Sequence, residues 1–205
     1  MTLVEQPADI RDLREQFDAI ERDAKTLTDG LTEATGTWRE DDGSWSVAGC
    51  FDHLAIGNGL YVQALREGAA RARKRGRFRR GPAAPGLIGG WFASFLEPPA
   101  GRRFRLKAPR KIVPRRHVSL EDAFSRFIES HRDVKRYLEE NADLDLAGSR
   151  FANPFIPGVR FSLATGLQVT TAHERRHLWQ AWRIRRAAEQ HSHSLSRVAR
   201  LGQGP

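Results

Sequence analysis

SLATGLQVTTAHERRHLWQAWRIRRAAEQ, residues 162–190, frames the rest of the chain. Ser162 suits a helix N-cap, and the residues after it contain no proline, so a helix is expected from there to about Gln190. On that helix Gly166, Thr170, His173, His177, Ala181 and Ile184 fall along one face, while Glu174, Arg175, Arg176 and Arg183 fall elsewhere. Histidines at i and i+4 have Cβ atoms ~5–6 Å apart. From there two imidazoles can reach one ion at ~2.0–2.1 Å. The residues alone leave two readings open: a pair of metal ligands, or a pair of hydrogen-bonded core histidines.

A third reading takes His173-Glu174-Arg175-Arg176-His177 as the H-E-x-x-H motif of zinc peptidases, with the glutamate as general base. Three features weigh against it. Both central positions are arginine, position 183 is not the third histidine of the extended motif, and Glu189 is the only acid after His177.

Outward from this helix, three more amphipathic stretches recur at the helical period. Residues 8–34 carry Ile10, Leu13, Phe17, Ile20, Leu27 and Leu31 on one stripe. A second helix is expected from the cap Ser46 to Gly68, burying Val47, Cys50, Phe51, Leu54, Tyr61 and Leu65. A third follows Ser119-Leu120-Glu121-Asp122, which resembles a capping box, and runs to about Glu140 through Phe124, Phe127, Ile128, Val134, Tyr137 and Leu138. Residues 141–160, with Asn153-Pro154 and Pro157-Gly158, read as a loop, and no alternating strand pattern stands out. The expectation is an all-α protein: a four-helix bundle forming one domain over residues 1–190, with a flexible tail at 191–205.

The link between helices two and three is a basic insertion, residues 71–118. Residues 71–86 are rich in arginine, proline and glycine and read as an exposed connection. LIGGWFASFLEP (87–98) reads as a short apolar helix stopped by Pro98 and Pro99, and residues 100–118 as an extended basic segment. The chain's net charge is +9, yet residues 71–116 alone hold fifteen Lys/Arg against Glu97, leaving −5 elsewhere. Seven cations in residues 71–80 could neutralise phosphates of a nucleic acid or lie on an anionic membrane. No recognition helix or stacking platform accompanies them, so a solvated loop is the plainer reading and nucleic acid is not favoured. No run approaches the ~18 apolar residues of a membrane span. With no readable signal peptide, and with Cys50 as the single cysteine, a cytoplasmic setting is the expectation.

His53 lies on the second helix in an uncharged line with Ser46, Cys50, Gly57, Leu60 and Ala64. Alone it reads as a structural histidine. Its context is Trp45-Ser46-Val47-Ala48-Gly49-Cys50-Phe51-Asp52-His53-Leu54. A Trp-Ser helix start, a histidine eight residues after the Trp, and a last long helix with H-x-x-x-H together resemble the DinB/YfiT-like superfamily. Asn153-Pro154 and His177-Leu178-Trp179-Gln180 extend the likeness over about residues 10–190. The resemblance implies a four-helix bundle in which His53, His173 and His177 hold a divalent metal, with Zn, Ni or Fe as candidates.

It also implies a transferase or hydrolase that uses a low-molecular-weight thiol on a small-molecule substrate, and a homodimer. A non-catalytic ligand-binding or acidic-partner-binding protein on the same scaffold is the alternative. Asp52 and Glu174 are each rotated about 100° from the neighbouring histidine, so neither is expected on that ion, although Asp52 could orient another histidine. Cys50 reads as a small buried apolar residue, Trp179 and Trp182 as packing residues. His117 and His131 belong to no constellation, and His191 and His193 sit in the tail.

Overall fold

Six α-helices and one short hairpin make up the computed structural model, which describes residues 6–99 and 108–201. In chain order they are α1 (Ala8–Thr28), α2 (Glu33–Thr37), α3 (Val47–Lys74), α4 (Leu87–Leu96), α5 (Leu120–Glu140), β1 (Arg150–Ala152), β2 (Arg160–Ser162) and α6 (Leu163–Leu201). The long helices α1, α3, α5 and α6 form the bundle: α1 and α3 each pack on both α5 and α6, and α4 lies on α6. Their apolar stripes meet in two clusters. One holds Phe17, Tyr61, Leu65, Tyr137 and Phe151; the other holds Leu27, Phe51, Leu54, Phe127 and Leu178. His53 lies on α3 between Phe51 and Leu54 of the second cluster and is buried.

The three serine caps act as expected. Ser46, Ser119 and Ser162 each accept a hydrogen bond from the backbone N–H three residues on, at 3.0–3.1 Å. Helix ends differ from the sequence reading for reasons the packing supplies. The first helix stops at Thr28 because Gly30 turns at φ +65°, and residues 33–37 form a separate turn of helix capped by Thr32.

The second helix does not stop at Gly68. A Cβ there would come within 2.8 Å of Leu163 and 2.9 Å of Phe151, so this glycine marks a close approach to the β1/α6 corner. Residues 71–74 are therefore helical, and the chain leaves α3 at Gly76, with φ +61°.

The expected 141–160 loop contains the antiparallel pair β1–β2, with Phe151 opposite Phe161. Three-residue strands are too short to show alternation in sequence. The last helix passes Gln190 and continues to Leu201, so the first part of the expected tail is helical; residues 202–205 lie outside the described part. The expectation for residues 100–107 also falls outside it. The short helix at 87–96 is present, and after residue 107 the chain makes a 3-10 turn at Arg110–Ile112.

Candidate metal centre

His53 from α3 and His173 and His177 from α6 converge, and one ring nitrogen from each lies within 4.8 Å of the other two. His53 Nε2 and His173 Nε2 are 3.1 Å apart. Ring centroids are 4.4–5.0 Å apart. His53 is 1% exposed, whereas the two α6 rings are partly accessible, so the cluster opens to solvent from the α6 side. Trp45, just before the α3 cap, walls the cluster with its ring 4.7 Å from His53 and 5.5 Å from His177. Gly57, one turn after His53, lies beside His173, whose Cε1 would be in ordinary van der Waals contact with an added Cβ at 3.7 Å.

Hydrogen bonds outside the cluster set its tautomers. His53 Nδ1 is 2.6 Å from the Ile112 carbonyl, which can only accept, so Nδ1 carries the proton and Nε2 keeps its lone pair. His177 Nδ1 donates in the same way to Gln180 Oε1 at 3.0 Å, which leaves its Nε2 as the donor atom. The 3.1 Å contact between His53 and His173 then has two forms. Either His173 Nε2 donates to His53, or both lone pairs face one cation. Two nitrogens bound at ~2.0–2.1 Å to a common tetrahedral ion are about 3.3 Å apart, so the observed separation fits the second form with little adjustment.

Electrostatics favour neutral, ligating imidazoles. Burial holds His53 below the ordinary imidazole value, against the opposing pull of the Ile112 hydrogen bond and Asp52. Burial, then the charges of His53 and Arg176, push His173 down to about 3. His177 is held well below its ordinary value by burial and by its two histidine neighbours. Among the described residues no carboxylate joins the group, so the donor set there is three neutral nitrogens.

A family model for the DinB superfamily matches residues 16–181, most of the chain and all three histidines. The chain belongs to the DinB superfamily. Comparison with curated proteins and with solved structures gave no match. In this DinB chain the three residues singled out by motif are thus brought together, and the 3-10 turn from the basic insertion supplies the carbonyl that fixes His53.

Other sequence expectations fare differently. Asp52 is fully buried but orients no histidine. It accepts from the Arg115 backbone N–H at 2.7 Å and pairs with the Arg115 and Arg126 guanidinium groups, which pins the segment carrying Ile112 against α3. Cys50 is buried, and burial pushes its thiol well above the ordinary range, in keeping with a packing role.

Glu174 faces away from the cluster. Its carboxylate takes His131 Nδ1 at 3.0–3.1 Å and Asn58 Nδ2 at 2.7 Å, all of them buried. The general base of a peptidase must reach the metal-bound water, and a carboxylate engaged in this way on another face of α6 does not.

His131, expected to join no constellation, is the residue the sequence reading missed. Its signal was present: it is i+4 from Phe127 and i−3 from Val134, a polar residue on an otherwise apolar line of α5. The carbonyl of Ile112 had no readable signal, because any residue type offers one.

Proposed function

We propose that this protein is a metal-dependent enzyme of the transferase or hydrolase type, with His53, His173 and His177 holding one divalent ion, Zn, Ni or Fe. The observation that carries the reading is the convergence of three nitrogens from two helices within 4.8 Å, two of them with tautomers fixed so that Nε2 points inward. DinB-like proteins are metal-binding, which supports it. A dication on three neutral imidazoles keeps its full charge and open positions, and so acidifies a bound water or thiol and polarises a carbonyl.

The chain's own residues supply the rest. Ile112 and Gln180 hold two rings in ligating orientation, Trp45 shields one side, and the partly accessible His173 and His177 leave the approach for a small-molecule substrate and a low-molecular-weight thiol. A cytoplasmic enzyme, acting alone or as a homodimer, is the form in which we propose it works.

Elemental analysis of the untagged protein tests the site. About one equivalent of metal per chain is expected, lost in His53→Ala and in His177→Ala but retained in Glu174→Gln. Retention in His53→Ala would remove the α3 histidine from the site and with it the three-histidine reading. Thermal-shift screening of low-molecular-weight thiols against the metal-loaded protein tests the thiol: stabilisation of the loaded form only is expected, and none in any case removes it.

A further inference from the structure

Helix α4 turns an apolar face to solvent. Leu87 is 96% exposed, Ile88 79% and Trp91 69%. Phe95 continues the row, its ring 6.1 Å from Trp91 and nearly parallel to it. None of the ten residues of α4 is charged. The outward face is not a result of loose packing. On the inward side Gly89 and Ala93 are buried, and a Cβ at Gly89 would fall 2.2 Å from Thr165 Oγ1 of α6. At the far end, Arg175 of α6 pairs with Glu97 just past α4, and Arg176 reaches the Phe95 carbonyl at 3.5 Å. Thus α4 is fastened along α6 while Leu87, Ile88 and Trp91 stand in water, a contiguous exposed apolar patch of the kind that marks an interaction site.

Charge surrounds this face in the chain. Before α4 come Lys74, Arg75, Arg77 and Arg80, and among the described residues after it Arg110 and Lys111, all exposed. Glu97, the one acid of residues 71–116, is paired with Arg175.

We propose that α4 and its basic flanks dock on an anionic lipid bilayer. Leu87, Ile88 and Trp91 enter the boundary between headgroups and acyl chains, and the flanking arginines pair with lipid phosphates. A ten-residue helix is about 15 Å long, too short to cross a bilayer core of ~30 Å, so it lies in the plane of the interface. Trp91 beside two aliphatic residues suits that depth, where an indole has both an apolar body and a polar N–H. A second copy of the chain is a poorer occupant. A two-fold contact through this face would bring two segments of net +14 together, and like charges oppose such a contact.

Co-sedimentation of the full chain with lipid vesicles tests it. Expected is binding to vesicles with about a third phosphatidylglycerol, little binding to pure phosphatidylcholine, and release as salt rises. Ile88→Ser combined with Trp91→Ser, both exposed and therefore compatible with folding, should weaken anionic-vesicle binding by about tenfold or more, with unchanged circular dichroism. Absence of sedimentation with anionic vesicles, or equal binding by the double variant, overturns the proposal. So does a wild-type dimer in sedimentation velocity that the double variant abolishes, since a second copy would then cover the face.

Discussion

At His173 and at Glu174, adjacent residues of α6, the bundle makes two polar clusters of opposite character. Around His173, three imidazoles face one another with no carboxylate among them, and burial drives their pKa values down. Around Glu174, a single imidazole meets a carboxylate. His131 Nδ1 faces the Glu174 carboxylate at 3.0 Å and its Nε2 faces the Phe17 carbonyl at 3.1 Å, two acceptors that together favour the doubly protonated ring. Burial opposes that charge, but the charge and hydrogen bond of Glu174, helped by Glu21 and opposed by Lys135, raise the His131 pKa. The first cluster leaves lone pairs pointing at a common point. The second already pairs its carboxylate with the His131 imidazole and the Asn58 amide. One is therefore equipped to take a ligand, and the other to hold α1, α3, α5 and α6 in register. A helix rotation of 100° separates the two roles.

Breaking the second cluster gives the largest effect. His131→Ala strands the Glu174 carboxylate in the core with Asn58 as its remaining partner, and a loss of about 3–5 kcal/mol is expected in urea unfolding. Glu174→Gln keeps an acceptor for His131 and is expected to lose about 1–3 kcal/mol. Neither change removes a ring of the three-histidine group, so metal content per folded molecule stays at the wild-type level. A loss under about 1 kcal/mol for His131→Ala would mean that the two clusters do not differ in structural weight.

How much of this contrast was legible follows from what each cluster is made of. His173 and His177 lie one helical turn apart, and periodicity alone puts them on one face. Trp45-Ser46 and His53 add a spacing within one helix. Those are local facts; they carried the bundle, and through the resemblance to the DinB superfamily they carried the candidate ligands. The Glu174–His131 pair joins residues 43 positions apart through the register of α5 against α6, which no local pattern encodes. The same holds for Ile112, which reaches His53 across 59 positions from a segment that reads as an extended basic stretch. Glycines misled at Gly68 because a helix stop and a tight helix crossing both call for the missing Cβ, and only the neighbours Leu163 and Phe151 tell them apart.

A smaller change should sharpen the first cluster. Gln180→Ala removes the acceptor that holds the His177 Nδ1 proton, leaving all three rings but freeing one to rotate. Metal affinity, measured by competition with a chromogenic chelator, should fall about 10–100-fold. Because Gln180 is partly exposed, the fold should lose no more than about 0.5 kcal/mol. Unchanged affinity would show that the ring is held by packing against Trp45 alone.

The subtlest difference is in pH. A histidine whose folded pKa is raised binds its proton more tightly in the native state. His131 therefore contributes its full stability below the ordinary value of 6.5, and that contribution drains away as pH rises through the folded pKa. Glu21 works at the other end. Burial would raise its pKa, but hydrogen bonds from Lys25 and Arg132 bring it from 4.5 to about 2, so its contribution holds above 4.5 and fades as pH falls toward 2. Unfolding of metal-free wild type and His131→Gln between about pH 5.5 and 9 isolates the first effect, because Glu21 is ionised throughout and the three ligating histidines are common to both proteins. The stability gap should be widest at the acid end and narrow as pH rises. A gap that stays flat would mean the His131 ring is neutral in the fold, and the distinction between a charged and an uncharged histidine cluster on neighbouring residues of α6 would fail.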